Sequence, residues 1–282
     1  MLRRSITGIV LAVALIILGI VRGWPLRVAL VLFMALSIWE LYSAFAHRGT
    51  RPVRWVGIGY SILVLPVYMV FRTSERWPFA LWLLMVVFCI FGFAALVFRG
   101  NSDFESAVAT VFPIIYPGMM FSMIIPLQDL EEPAFAILAL ALTFGIALMC
   151  DTIAYFVGRK WGRHRLSPSI SPKKSIEGAF AGFIAAIAIA VFSAWLLEAI
   201  TVNVPSMQQY RVDLPPYWHF AIVGALGGIA SQIGDLTASM VKRYCGIKDF
   251  GSLLPGHGGM MDRIDSVLFN VVIVFFYFMV II

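Results

Sequence analysis

"YWHFAIVGALGGIASQIGDLTASMVKR" (residues 217–243) is apolar for most of its length, yet its second half carries Gln232, Asp235, Ser239 and Lys242. At 100° per residue these four fall within about 80° of arc, so a helix here has one polar edge on an apolar cylinder. The stretch is longer than the ~20 residues needed to cross a bilayer's hydrocarbon core. A carboxyl in such a span costs about 2.5–3.5 kcal/mol if it faces lipid uncompensated. Asp235 is therefore expected to face the interior of a bundle, a partner or a cation. A plain Asp–Lys or Asp–Arg pair holding two helices together would meet the same requirement. Gly224 and Gly228 lie on the same side, which permits close helix packing or ligand approach.

The chain around this stretch is 61% hydrophobic and 13% charged, with a mean hydropathy of +0.92. Apolar runs of spanning length lie near 6–21, 26–46, 55–71, 79–98, 107–125, 134–157, 178–200, 217–241 and 264–282. In lipid the backbone must satisfy its own hydrogen bonds. The expected fold is therefore all-α, a polytopic transmembrane bundle of about nine spans. Pro66, Pro113 and Pro117 leave the boundaries and straightness of the third and fifth runs open. The N-terminal "MLRRSITGIVLAVALIILGIV" is followed by "RGWPLR" rather than a small-x-small cleavage site, and reads as a retained first helix. Cys89, Cys150 and Cys245 are far apart and form no CxxC pair, so neither a disulfide framework nor a zinc ribbon is expected.

The net charge of +6 is distributed unevenly. With nine spans and the N-terminus inside, only Arg22, Arg27, Arg72, Arg76 and Arg211 of the 21 Lys and Arg fall in outward segments. That is the positive-inside pattern, and the outward loop "PLQDLEEP" (126–133) is acidic. The basic excess therefore orients the protein in a membrane and attracts anionic lipid; no nucleic-acid partner is expected. Loops 158–177 and 242–263 are placed at the cytoplasmic face. Residues 1–130 read as N-terminal transmembrane helices, a scaffold with possible lipid access. Residues 131–282 read as C-terminal helices with two cytoplasmic catalytic loops. Within the first part, Glu40 is the one acid of the second run, as readily structural as functional.

The sixth run ends "CDTIAYFVGRKWG" (150–162), with Asp151, Tyr155 and Gly158 on one helical face. In the following "GRHRLSPSISPKKSIEG" (162–178), Ser171-Pro172 is expected to open the next helix, Ser as cap and Pro in first position. Lys173 and Lys174 would then flank a helix N-terminus suited to phosphate oxygens; a solvated basic turn is the competing reading. Next comes "SMVKRYCGIKDFGSLLPGHGGMMDRID" (239–265), which crowds acids, bases and glycines between two apolar runs. The glycines of "PGHGG" (255–259) allow backbone close to a ligand around His257. Asp262 and Asp265 share a face where the last helix begins, and they also complement its dipole, a structural role worth about 0.3–1 kcal/mol. Hard oxygen ligands with room for water and phosphate suit Mg²⁺, which takes one or two carboxylates plus substrate oxygens. There is no GxxxxGK[ST] loop and no HExxH, so neither a P-loop nucleotidase nor a zinc protease is supported.

The order Ser239, Lys242-Arg243, Lys248-Asp249, Gly251, Leu254-Pro255, His257-Gly258-Gly259, Asp262-Arg263-Ile264-Asp265 resembles the signature of phosphatidate cytidylyltransferases, the CDP-diacylglycerol synthases. "QIGD", "DTIAYFVGRKWG" and "SPKKSIEG" resemble that family too, so the likeness spans roughly residues 150–265. The resemblance implies that CTP and phosphatidic acid give CDP-diacylglycerol and pyrophosphate. It also implies a Mg²⁺ site at the cytoplasmic face, K⁺ as a helper cation, a homodimer, and residence in the bacterial inner membrane. On it, Asp235 and Asp262 hold the metal, with Asp265 in support, and Ser239 and Lys242 contact ligand or cation. Lys242, Arg243, Lys248 and Arg263 are assigned to phosphates, His257 to the nucleotide loop, Lys173 and Lys174 to phosphates from the opposite side, and Asp151 to the substrate site. Two alternatives stand beside this reading. One is a lipid-alcohol kinase using CTP or ATP. The other is a cation-coupled secondary transporter using Asp151 and Asp235, weakened because the ionisable groups collect at one boundary and no internal repeat is visible.

Overall fold

The computed structural model describes residues 22–100, 103–252 and 258–282. Among them are eight helices long and apolar enough to cross a membrane: α1 Gly23–His47, α2 Arg54–Phe71, α3 Trp77–Arg99, α4 Phe104–Leu127, α5 Pro133–Trp161, α6 Ile176–Asn203, α7 Tyr217–Tyr244 and α8 Met261–Ile281. They match the second to ninth expected runs; the first, near 6–21, lies outside the described residues. The chain is the expected all-helical polytopic bundle. Large apolar side chains such as Phe98, Phe104 and Val70 stand exposed on its surface, as a hydrocarbon solvent requires.

The prolines of α2 and α4 behave differently. Pro66 lies inside a continuous α2. In α4, the α-helix stops at Pro113, and a π-turn occupies Ile114–Met119, where Tyr116 has non-helical angles of −126° and 108°. Two prolines four residues apart remove two backbone donors from consecutive turns, which one helix cannot absorb as easily as a single loss.

The chain forms two compact units. One takes the described residues up to Pro126 together with Val241–Arg263; the other takes Leu127–Met240 and Ile264–Ile282. The end of α7, the loop after it and the start of α8 thus group with the N-terminal helices. In this first unit Leu30, Met34, Ile38, Tyr42, Tyr60 and Phe121 are fully buried. The Tyr42 hydroxyl donates to the Thr110 carbonyl at 2.9 Å, tying α1 to α4.

The second unit is built on small residues. A Cβ at Gly182 would lie 2.6 Å from the Cys150 carbonyl oxygen, and one at Gly224 would lie 2.7 Å from that of Ala186. Gly228 faces the Ala186 methyl. The close packing expected of Gly224 and Gly228 is therefore realised, against α6. Between α5 and α6 the chain makes an antiparallel hairpin, β1 Arg165–Ser167 with β2 Ser171–Ser175. This corrects the expected helix start. Ser171-Pro172 lies in β2, and α6 begins at Ile176, with Ser175 as cap accepting from the Gly178 N–H at 3.1 Å. The Ser175 hydroxyl meets an orphan N–H of the first turn, while Ser171 and Pro172 are held extended by pairing with β1.

Candidate functional site

Among the described residues there are two aspartate–lysine ion pairs, one in each unit. In the first unit, α7 ends in a glycine cap: the Ile247 N–H bonds the Lys242 carbonyl at 3.0 Å and the Gly246 N–H bonds that of Arg243 at 3.1 Å. Gly246 has φ +70°, the left-handed conformation this motif needs and glycine supplies without strain. The chain then turns back on Asp262. One carboxylate oxygen accepts from the Lys242 ammonium at 2.7 Å. The other accepts from the N–H groups of Phe250 at 2.8 Å and Gly259 at 3.0 Å. The Asp262 side chain is 5% exposed and that of Lys242 13%. The ammonium also lies 5.4 Å from the centroid of the Phe250 ring. Asp262 is thus both a buried anion with a cation on it and the clasp that folds the loop.

Two further groups fix the same loop. Glu40, from α1, accepts from the Met260 N–H at 2.9 Å and the Met261 N–H at 2.8 Å. These donors stand at the start of α8, where helical N–H groups have no partner in their own helix. Gly251 and Gly259 lie against the Glu40 carboxylate, so closely that a Cβ on either would overlap it. At the other end, Arg48 donates to the Tyr244 carbonyl at 2.6 Å, with its guanidinium 3.9 Å from the centroid of the Tyr244 ring.

In the second unit, Asp235 of α7 forms an ion pair with Lys174 of β2; the two side chains are 24% and 28% exposed. One turn earlier on α7, the Gln232 amide donates to the Ala179 carbonyl at 3.0 Å. On α5, Asp151 accepts from the Ser266 hydroxyl of α8 at 2.6 Å. Asp265 is buried and accepts from the Ser266 N–H at 2.8 Å, and its carbonyl packs on Gly234. Asn270, one turn further along α8, donates to the Leu142 and Thr143 carbonyls at 3.0 and 2.7 Å.

Within the first unit Lys242 and Asp262 are brought into contact, with Arg243, Lys248 and Arg263 exposed nearby in the chain. Within the second unit Lys174 meets Asp235, Ser239 is buried on the same helix, and Lys173 is exposed on the hairpin. His257 lies outside the described residues. Among the described residues no three His, Cys, Asp or Glu side chains gather into a cation cage. Three participants were not singled out from sequence: Arg48, Ser266 and Asn270. Glu40 was noted without a role; a lone carboxyl in an apolar span must find donors, and that was the available signal.

A model described as the cytidylyltransferase family matches residues 2–281. The chain is 30% identical to a phosphatidate cytidylyltransferase of Synechocystis, over 97% of its own length and 94% of the relative's. It is 29% identical to that of Bacillus subtilis, over 99% and 97%. A phosphatidate cytidylyltransferase of Thermotoga maritima is 38% identical over a shorter region, 59% of this chain and 57% of the relative.

Proposed function

This chain belongs to the cytidylyltransferase family, and from that premise we propose that it is a membrane-embedded nucleotidyltransferase making CDP-diacylglycerol from CTP and phosphatidic acid. A phosphate oxygen of the lipid attacks the α-phosphorus of CTP. A new P–O bond forms, the bond between the α-phosphorus and the bridging oxygen breaks, and pyrophosphate leaves with the electron pair. The lipid brings its own nucleophile, so no side chain need carry the cytidylyl group. Two anions have to meet, and catalysis rests on neutralising and aligning them.

The observation that carries this reading is the Lys242–Asp262 pair, buried at the base of the loop whose residues resemble the family signature. Asp235 and Asp262 are assigned to Mg²⁺, with Asp265 in support. What supports the assignment is the donor set: each is a hard-oxygen carboxylate that holds a lysine ammonium, a place where the protein stabilises positive charge. Two carboxylates with water and substrate oxygens suffice for this ion. When bound, the ion neutralises phosphate charge. Lys242 and Lys174, held by these acids, are assigned to phosphate oxygens, as are the exposed Lys173, Arg243, Lys248 and Arg263. Ser239 and Asp151 are assigned to substrate contacts and His257 to the nucleotide loop. K⁺ as a second cation, a homodimer, and an active site on the cytoplasmic side of a bacterial inner membrane complete the proposal.

The test supplies purified protein with phosphatidic acid, Mg²⁺ and CTP labelled at either the α- or the γ-phosphate. The α label is expected in the lipid product and the γ label in pyrophosphate. Transfer of the γ label to lipid would instead identify a kinase and overturn the proposal.

A further inference from the structure

Both ends of the loop between α7 and α8 are gripped from one other helix, by Glu40 within α1 and by Arg48, the residue that caps its end. Glu40 holds the exit: its two carboxylate oxygens take the Met260 and Met261 N–H groups at 2.9 and 2.8 Å. Arg48 holds the entrance, with a 2.6 Å hydrogen bond to the Tyr244 carbonyl and its guanidinium over the Tyr244 ring. The charges are matched to the helix ends they meet, a cation at a C-terminus and an anion at an N-terminus. They stand eight positions apart, about 12 Å along a helix at 1.5 Å per residue. α1 is in effect a ruler laid across the loop. Glu40, the one acid of α1, is 7% exposed, and the loop's Gly251 and Gly259 leave room for its carboxylate. Capping a helix N-terminus takes only the Met260 and Met261 N–H groups; the two glycines pressed on the same acid tie Glu40 to the loop before α8 as well.

We infer that Glu40 and Arg48 are positioning residues for the reaction: they set the distance between the helix ends that carry Lys242 and Asp262, and so hold that pair in register. Neither touches a reactant. This inference rests on the function proposed above, but its physical core, that α1 sets the loop, can be read without any turnover.

The experiment compares wild-type protein with Glu40→Gln and Arg48→Gln, purified in the same lipid nanodiscs. Amide hydrogen exchange is measured across the chain, together with kcat and KM for CTP and phosphatidic acid. Gln keeps the shape of Glu40 but leaves one N–H facing an amide nitrogen. Exchange at residues 250–252 and 258–261 is expected to rise about tenfold in Glu40→Gln, with the other helices unchanged, as local opening without global unfolding does. Because misplacement of about 1 Å can cost 10²-fold, kcat should fall 10- to 100-fold with KM for phosphatidic acid within about twofold. Arg48→Gln should loosen residues 241–247 and lower kcat less, because Arg48 is solvent-exposed. Unchanged loop exchange in Glu40→Gln, or wild-type kcat despite a loosened loop, overturns the inference. If Glu40→Gln cannot be obtained monodisperse, Arg48→Gln decides alone on the same two readouts. A wild-type protein inactive on CTP and phosphatidic acid would defeat the proposed function while leaving the exchange result to decide whether α1 sets the loop.

Discussion

Two aspartate–lysine pairs that look interchangeable in sequence are built differently. Asp262 and Lys242 are almost wholly buried, and the aspartate also accepts two backbone N–H groups. Asp235 and Lys174 are each about a quarter exposed, and the lysine comes from a two-stranded hairpin. Removing one partner of a buried, hydrogen-bonded pair strands an uncompensated charge, at about 3–5 kcal/mol. Breaking a pair that water can reach costs roughly 1 kcal/mol or less. The lesson is that the same two residue types carry a structural burden in one place and little of it in the other, while the proposed chemistry asks the same of both.

The largest expected effect separates these roles. Asp262→Ala should abolish product formation and also destabilise the protein by about 3–5 kcal/mol, seen as a fall in thermal midpoint and faster exchange of the loop. Asp235→Asn should abolish product formation with a stability change within about 1 kcal/mol. Equal destabilisation by both substitutions would erase the distinction drawn here, and full activity in either would remove that residue from the metal assignment.

A smaller effect sharpens the comparison from the cationic side. Lys242→Met leaves Asp262 with its two N–H donors but no counter-charge, so it should lower both thermal midpoint and kcat. Lys174→Met leaves Asp235, about a quarter exposed, where water can solvate it. It should raise KM for CTP with little change in midpoint, measured by pyrophosphate release across CTP concentrations. A stability loss as large as that of Lys242→Met would show Lys174 to be a structural strut.

The smallest effect concerns Cys245, which follows the end of α7. Burial pushes its thiol up to about 11, so at pH 8 only about one molecule in a thousand carries the reactive thiolate, on the ordinary relation between pKa and ionised fraction. Its alkylation should be slow in the wild type, rise with pH, and quicken in Asp262→Ala as the loop opens and the burial is relieved. Asp235→Asn should leave the rate alone. Mass spectrometry of the Cys245 peptide reads both.

Much of the architecture was legible because the length of an apolar run is a local property. The described spans fall within a few residues of their expected limits, including α7, whose polar edge needed no neighbour to be seen. What failed was local structure decided by partners. Ser171-Pro172 has the chemistry of a helix start, yet β1 pairs with that segment and moves the cap to Ser175. The prolines, left open by sequence, part ways: Pro66 sits in a continuous helix and Pro117, four residues after Pro113, in a broken one. The glycines of "PGHGG" were expected to allow backbone close to a ligand; one of them, Gly259, lies against Glu40, as does Gly251 earlier in the loop.

By itself the amino-acid order determined that this chain is a bundle of membrane-spanning helices, which acids and bases cluster near the ends of the last two, and which family that cluster resembles. All of these follow from hydropathy over a run of residues or from spacing along one segment. Only the tertiary structure decided which cation answers which anion, that Asp262 closes its own loop, and that Glu40, more than two hundred residues away in sequence, caps the start of α8. Charge pairing and backbone satisfaction act across space, and a buried carboxylate takes whichever donors the fold brings to it.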